Sequence, residues 1–164
     1  MNTADIARTL GTLLAELVDG ASKDGGYMLN PGDEGLLRSL EKLSAAEASA
    51  RTQTGSTIAA HVDHLRYGLS LMNQWSHGED PFTSADWSQS WLRVAVSEAE
   101  WRQRLTDLRT ETTRWLSVVR EPRDVDENEL NGMVGSITHL AYHLGAIRQI
   151  NQSVRGPVDG AKPA

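Results

Sequence analysis

The sequence predicts an all-α protein, a four-helix bundle with at least one long crossover connection. Three observations carry that expectation. Apolar residues recur at spacings of three and four through four long segments. Cap signals, a Ser or Asp followed three residues later by Glu, stand at the start of the third and fourth of them. No stretch of useful length alternates in the manner of a strand. The chain has 164 residues, enough for one domain with a single hydrophobic core. That domain is expected over 1–155, with 156–164, GPVDGAKPA, as a disordered tail.

In the first segment Ile6, Leu10, Leu13 and Leu17 form one apolar stripe, and Gly20 is the stop. The turn-rich DGGYMLNPGDEG follows. Asp33 caps a short helix through EGLLRSLEKL, and SAAE at 44–47 has the capping-box form of another short turn. The second long helix starts at Thr54 or Ser56 and runs to about Trp75, with Ile58, Val62, Leu65, Leu69 and Met72 in register, and Gly78 ends it. GEDPFTSADWSQSW is a long connection with a helical turn holding Trp87 and Trp91 at i and i+4. SEAE at 97–100 opens the third helix, whose stripe is Trp101, Leu105, Leu108, Thr112, Trp115 and Val119. Pro122 breaks the chain. The fourth helix starts near Asp126, with Glu129 as the reciprocal cap, and runs through Met133, Ile137, Leu140, Leu144 and Ile147 to about Val154.

Formal net charge is -6, with no Lys/Arg block, which argues against a nucleic-acid surface. With no cysteine, disulfides, zinc–thiolate sites and a cysteine nucleophile are excluded. The N-terminal segment carries Asp5, Arg8 and Glu16 among its apolar positions and reads as neither signal peptide nor membrane span. A soluble cytoplasmic protein is the expectation. No nucleophilic serine motif, phosphate-cradling glycine loop or dinucleotide fingerprint is present.

The histidines carry the chemistry. In ITHLAYHLGAIRQI, His139 and His143 lie within roughly 40° of one another at about 100° per helical residue. In AAHVDHLRYGL, His61 and His64 fall on the apolar side of the second long helix, His61 nearer its centre and His64 nearer its edge. The fifth, His77, sits near a helix end and is expected to be exposed. Neutral imidazoles are ligands for Zn²⁺, Ni²⁺ and Fe²⁺. Three nitrogens from two helices leave an open position, as catalytic rather than structural sites do. A single histidine on an apolar face is more often a core residue; two pairs on separate helices shift the weight toward a metal.

STIAAHVDHLRYGL, followed by SITHLAYHLGAIRQI, resembles the DinB/YfiT-like superfamily, four-helix bundles of similar length, and the resemblance implies the up-down-down-up type with long crossover connections. The resemblance spans the chain from the first helix to Ile150. It implies one divalent metal, zinc or nickel before iron, held by His64 of the His-Leu step and by His139 and His143 of the HxxxH. His61, one turn earlier, is then a partner behind the ligands, a substitute ligand or plain core. Some relatives are thiol-dependent S-transferases that use a low-molecular-weight thiol; others are known only as stress- or damage-inducible. The resemblance therefore implies a metal-dependent enzyme, a thiol S-transferase or a hydrolase, acting on a small molecule. The alternative is a non-enzymatic stress-response or partner-binding bundle with a structural or vestigial site. A homodimer is expected, since such bundles often pair through helix faces.

Other candidates read more plainly. Trp101 and Trp115 share a face and are core; Trp87 and Trp91 pack in a crossover or lid an apolar pocket. Arg148 is a helix-dipole or surface ion-pair contact before it is a carboxylate clamp. Tyr142 points about 100° away from its neighbour His143. Asn131 and Asn151 carry no specific signal, and neither Asp63 nor Glu127 is assigned as a general base.

Overall fold

The computed structural model describes residues 2–53 and 55–158. Among them are six α-helices, α1 (Thr3–Asp19), α2 (Gly35–Glu41), α3 (Ala45–Ala48), α4 (Ile58–Ser76), α5 (Glu98–Arg120) and α6 (Glu127–Ile150), and no strand. Short 3-10 turns cover Phe82–Ser84, Gln89–Trp91 and Gln152–Val154. No helix among the described residues is long and apolar enough to cross a membrane.

The four long helices pack in a ring: α1 against α5, α5 against α4, α4 against α6, and α6 against α1. The Gln89–Trp91 turn also packs on α4. Leu14, Leu17, Ile58, Val62, Leu108 and Ile147 fill the centre, each buried. Trp101 and Trp115 join them, and their indole N–H groups stay satisfied, donating to the Leu43 carbonyl and to Ser136 Oγ, each at 2.8 Å.

Local chemistry sets the helix ends. Ser97 accepts from the Glu100 N–H while the Glu100 carboxylate returns to the Ser97 N–H, the capping box expected there. Ser44 and Glu47 do the same at α3. Asp126 accepts from the Glu129 N–H at 2.7 Å, but the Glu129 side chain does not reciprocate; it pairs with Arg123. Of the two expected starts of α4, Thr54 lies outside the described residues. Ser56 is not the cap: Thr57 accepts from the Ala60 N–H, and the Ser56 hydroxyl is bonded to His61.

Three expectations shift. The buried face of α1 turns toward Ala7 and Leu14, leaving Ile6 and Leu13 only partly buried. Gly11 explains the turn: a Cβ there would lie 2.6 Å from Arg120 Cγ, so α1 sits close on α5. α6 ends at Ile150, four residues before Val154, because Asn151 leaves the helix and caps the next 3-10 turn through Ser153 N–H. The side of α4 opposite its apolar stripe is only partly exposed: Gln74 is exposed, and Arg66, Tyr67 and Ser70 are half-buried. Asp63 and Asn73 are buried, held by Arg104 and by Glu111 of α5. Residues 156–158 lie near the α1–α2 connector, where the Pro157 carbonyl accepts from Asn30 at 3.4 Å. The rest of the expected tail, 159–164, lies outside the described residues.

Candidate metal centre

α4 and α6 carry the four histidines to one place. His64 Nε2 lies 3.1 Å from His139 Nε2, and His143 Nε2 lies 2.9 Å from the same atom. A ligand atom from each of His64, His139 and His143 falls within 4.8 Å of the other two. Three imidazole nitrogens at ~2.1 Å from one ion, at right or tetrahedral angles, are separated by roughly 3.0–3.4 Å. Two of the separations are close to that range and the third stays within 4.8 Å, so these three histidines can hold one divalent ion. His64 and His143 are buried and His139 is half-buried.

Hydrogen bonds behind the ligands point the lone pairs inward. Ser90 Oγ donates to the Trp87 carbonyl at 2.7 Å, so it accepts from His64 Nδ1–H at 2.8 Å. That tautomer leaves His64 Nε2 with its lone pair facing the other two nitrogens. His61 does not join the group. Its Nδ1 is 2.7 Å from His143 Nδ1, and its Nε2 is 2.9 Å from Ser56 Oγ. With His143 Nδ1–H donating to His61, and His61 Nε2–H donating to Ser56, the Nε2 of His143 is left free as a ligand. Of the three roles open to His61 from sequence, the geometry fits the partner behind a ligand. Ser90 and Ser56 carry no motif, and only the folded chain brings Ser90 onto His64. Ser90→Ala is expected to weaken zinc binding about tenfold, read in a chelator competition, because it removes the acceptor that orients His64.

The site favours neutral imidazoles. Burial, then the charges of His139, His61 and His64, pushes His143 down to about 3. Burial, then His139 and His61, pushes His64 down to about 4. Burial also lowers His61 and His139. In the unfolded chain these groups take a proton near 6.5. A depressed folded value means that the unfolded state binds more protons as pH falls. Stability is thus complete above about pH 6.5 and declines as pH drops toward the folded values. The metal-free protein is expected to lose on the order of 4 kcal/mol between pH 7 and pH 5, about half from each of His64 and His143, read from urea midpoints.

Tryptophans roof the cluster. Trp91 stacks on His64 with ring centres 4.4 Å apart and meets His61 edge-on at 5.1 Å. Trp87 lies 5.5 Å from His64. Below them a cleft of about 440 Å³ runs between α4 and α6 and ends at His64 and His139. Both connection tryptophans therefore belong to the site, which the i, i+4 spacing alone did not disclose. Arg148 pairs with buried Asp33 at 2.6 Å, away from the histidines, and is neither a substrate clamp nor a surface pair. Asp33 also accepts from the Gly35 N–H, in keeping with its capping role. Tyr142 is exposed, its ring edge-on to His143 at 5.0 Å. Asn131 is exposed, Asn151 caps the last 3-10 turn, and His77 is exposed at the end of α4.

Comparison with protein-family models, with curated proteins and with solved structures gives no match to this chain.

Proposed function

We propose that this chain is a DinB/YfiT-like bundle of the up-down-down-up type and a metal-dependent enzyme that joins a small-molecule thiol to an electrophile. The observation that carries this reading is the convergence of three imidazole nitrogens, two of them on His64 and His139 at the end of an apolar cleft. When bound, a divalent ion supplies Lewis acidity there: three neutral imidazoles leave its charge uncompensated, which favours the deprotonated form of a thiol or water.

The chain's own residues supply the setting. His64, His139 and His143 hold the ion. Ser90 fixes the tautomer of His64, and His61 that of His143. Trp91 and Trp87 cover His64 and keep bulk water off it. The cleft orients the electrophile. No carboxylate shares the three-histidine group among the described residues, and nearby Asp63 is committed to Arg104 at 2.6 Å. A thiolate needs no separate base once its proton is gone, so this arrangement favours thiol transfer over hydrolysis. Within the non-enzymatic alternative, a structural metal site calls for a fourth protein ligand, and His61 turns its Nδ1 to the ring of His143 instead. A homodimer belongs to the same proposal.

With an epoxide, sulfur attacks carbon as the C–O bond opens, and the thiol's proton ends on the new hydroxyl. Zinc- or nickel-loaded protein, mixed with a thiol panel and styrene oxide, is expected to consume thiol and epoxide one for one. His139→Ala should fall to the uncatalysed rate. Thiol loss by loaded wild type no faster than by His139→Ala across the panel counts against the reading.

A further inference from the structure

The cleft that ends at His64 and His139 has a wall whose chemistry selects its occupant. Leu65, Leu69, Met72, Phe82, Trp87 and Leu140 supply the apolar surface, and no Asp, Glu, Lys or Arg lines it among the described residues. The one hydroxyl in the wall is already used: Ser136 Oγ donates to the Met133 carbonyl at 2.7 Å and accepts from Trp115 Nε1 at 2.8 Å. Apart from the histidine edges at its end, the cleft has little polar to offer. A charged group held along this wall, short of the histidine end, would lose its water and gain no partner.

Three glycines border the same space, and they differ. At Gly68 an added Cβ would lie 3.3 Å from the Trp87 ring, and at Gly132 2.7 Å from the Trp75 ring. Those two glycines let indoles pack on the helices. At Gly135 an added Cβ would meet nothing within 4 Å. Glycine inside a helix is unfavourable relative to alanine, and no packing requirement compensates for it at 135. Gly135 precedes His139 by one turn, on the same face of α6. Gly135 is exposed, so the missing side chain leaves the rim of the cleft open one turn from His139. The volume, about 440 Å³, falls in the range of small-molecule pockets.

We infer that this cleft binds an uncharged, largely apolar small molecule, that its reacting end lies against the three-histidine site, and that Gly135 sets the room available. As a statement about substrate the inference rests on the enzymatic reading above; as a statement about binding it stands on the cleft alone.

The test uses two fluorescent probes of nearly one shape, N-phenyl-1-naphthylamine, which is uncharged, and 1-anilinonaphthalene-8-sulfonate, which is the same skeleton with a negative charge. The full chain is titrated after zinc loading and again after chelation. The uncharged probe is expected to saturate at one per chain in both forms, and the sulfonate to bind at least tenfold more weakly. Gly135→Leu should weaken the uncharged probe at least tenfold. Gly145→Leu, on an exposed and equally open part of α6, should change it less than twofold and shows that the helix tolerates leucine. Gly135→Ala checks that a side chain at 135 leaves the fold intact. Equal binding of the two probes, no saturable binding, or an unchanged affinity in folded Gly135→Leu overturns the inference. A chain that takes up no metal but keeps this probe pattern defeats the enzymatic reading and leaves the cleft assignment standing.

Discussion

His143→Ala is expected to lower zinc affinity by more than about 100-fold, whereas His61→Ala lowers it about tenfold and retains one ion per chain. The two residues touch, Nδ1 to Nδ1 at 2.7 Å, yet they stand in different places. His143 points its Nε2 at His139 Nε2 and supplies one of three ligand atoms. Losing it leaves two nitrogens, too few to hold a divalent ion against water. His61 lies behind His143 and orients it, a role whose loss typically costs 10–100-fold. Because His143 is buried, its removal also opens a cavity in the core. His139→Ala repeats the loss of a ligand at a half-buried position and separates the two effects. Competition against a chromophoric chelator measures each affinity. Retention of tight binding by either ligand variant, or its loss with His61 alone, contradicts this assignment.

Arg104→Met is expected to destabilise the fold by about 3 kcal/mol, most of which returns in the double variant Asp63→Asn, Arg104→Met. Asp63 and Arg104 form a buried ion pair at 2.6 Å that ties α4 to α5 one residue before His64. Removing the arginine alone leaves a buried carboxylate with only Arg66, a more exposed side chain at 3.2 Å. Removing both charges ends that imbalance. It also removes Arg104 Nε, a buried donor with no hydrogen-bond partner of its own. Urea unfolding of the single and double variants reads the coupling directly. Additive losses would show that the pair does not act as a unit.

Much of the helix pattern was legible because its signals are local. The boxes at Ser97 and Ser44 and the cap at Asp126 each span one turn, and local hydrogen bonds decide them. The histidine pairs were legible for the same reason, since i, i+3 and i, i+4 spacing fixes a shared face. What was not legible depends on distant partners. Ser90 reaches His64 across the crossover, and Trp91 stacks on the same ring. Arg148 finds Asp33 at the other end of the chain. Glu129 prefers Arg123 to its own helix cap. A helical wheel sets Asp63 and Asn73 opposite the apolar stripe of α4 because it counts residue types. It cannot see that α5 places Arg104 and Glu111 opposite Asp63 and Asn73.

The central claim is a three-histidine centre with an open position, and X-ray absorption at the zinc edge of the loaded, tag-free chain tests it most directly. One ion per chain is expected, with three imidazole nitrogens at ~2.0–2.1 Å and the remaining coordination from oxygen. Adding a thiol should replace oxygen with sulfur at ~2.3 Å. Four imidazoles on the ion, unmoved by thiol, would make His61 a ligand and the site structural. No stoichiometric uptake of zinc or nickel would leave four core histidines and contradict the account.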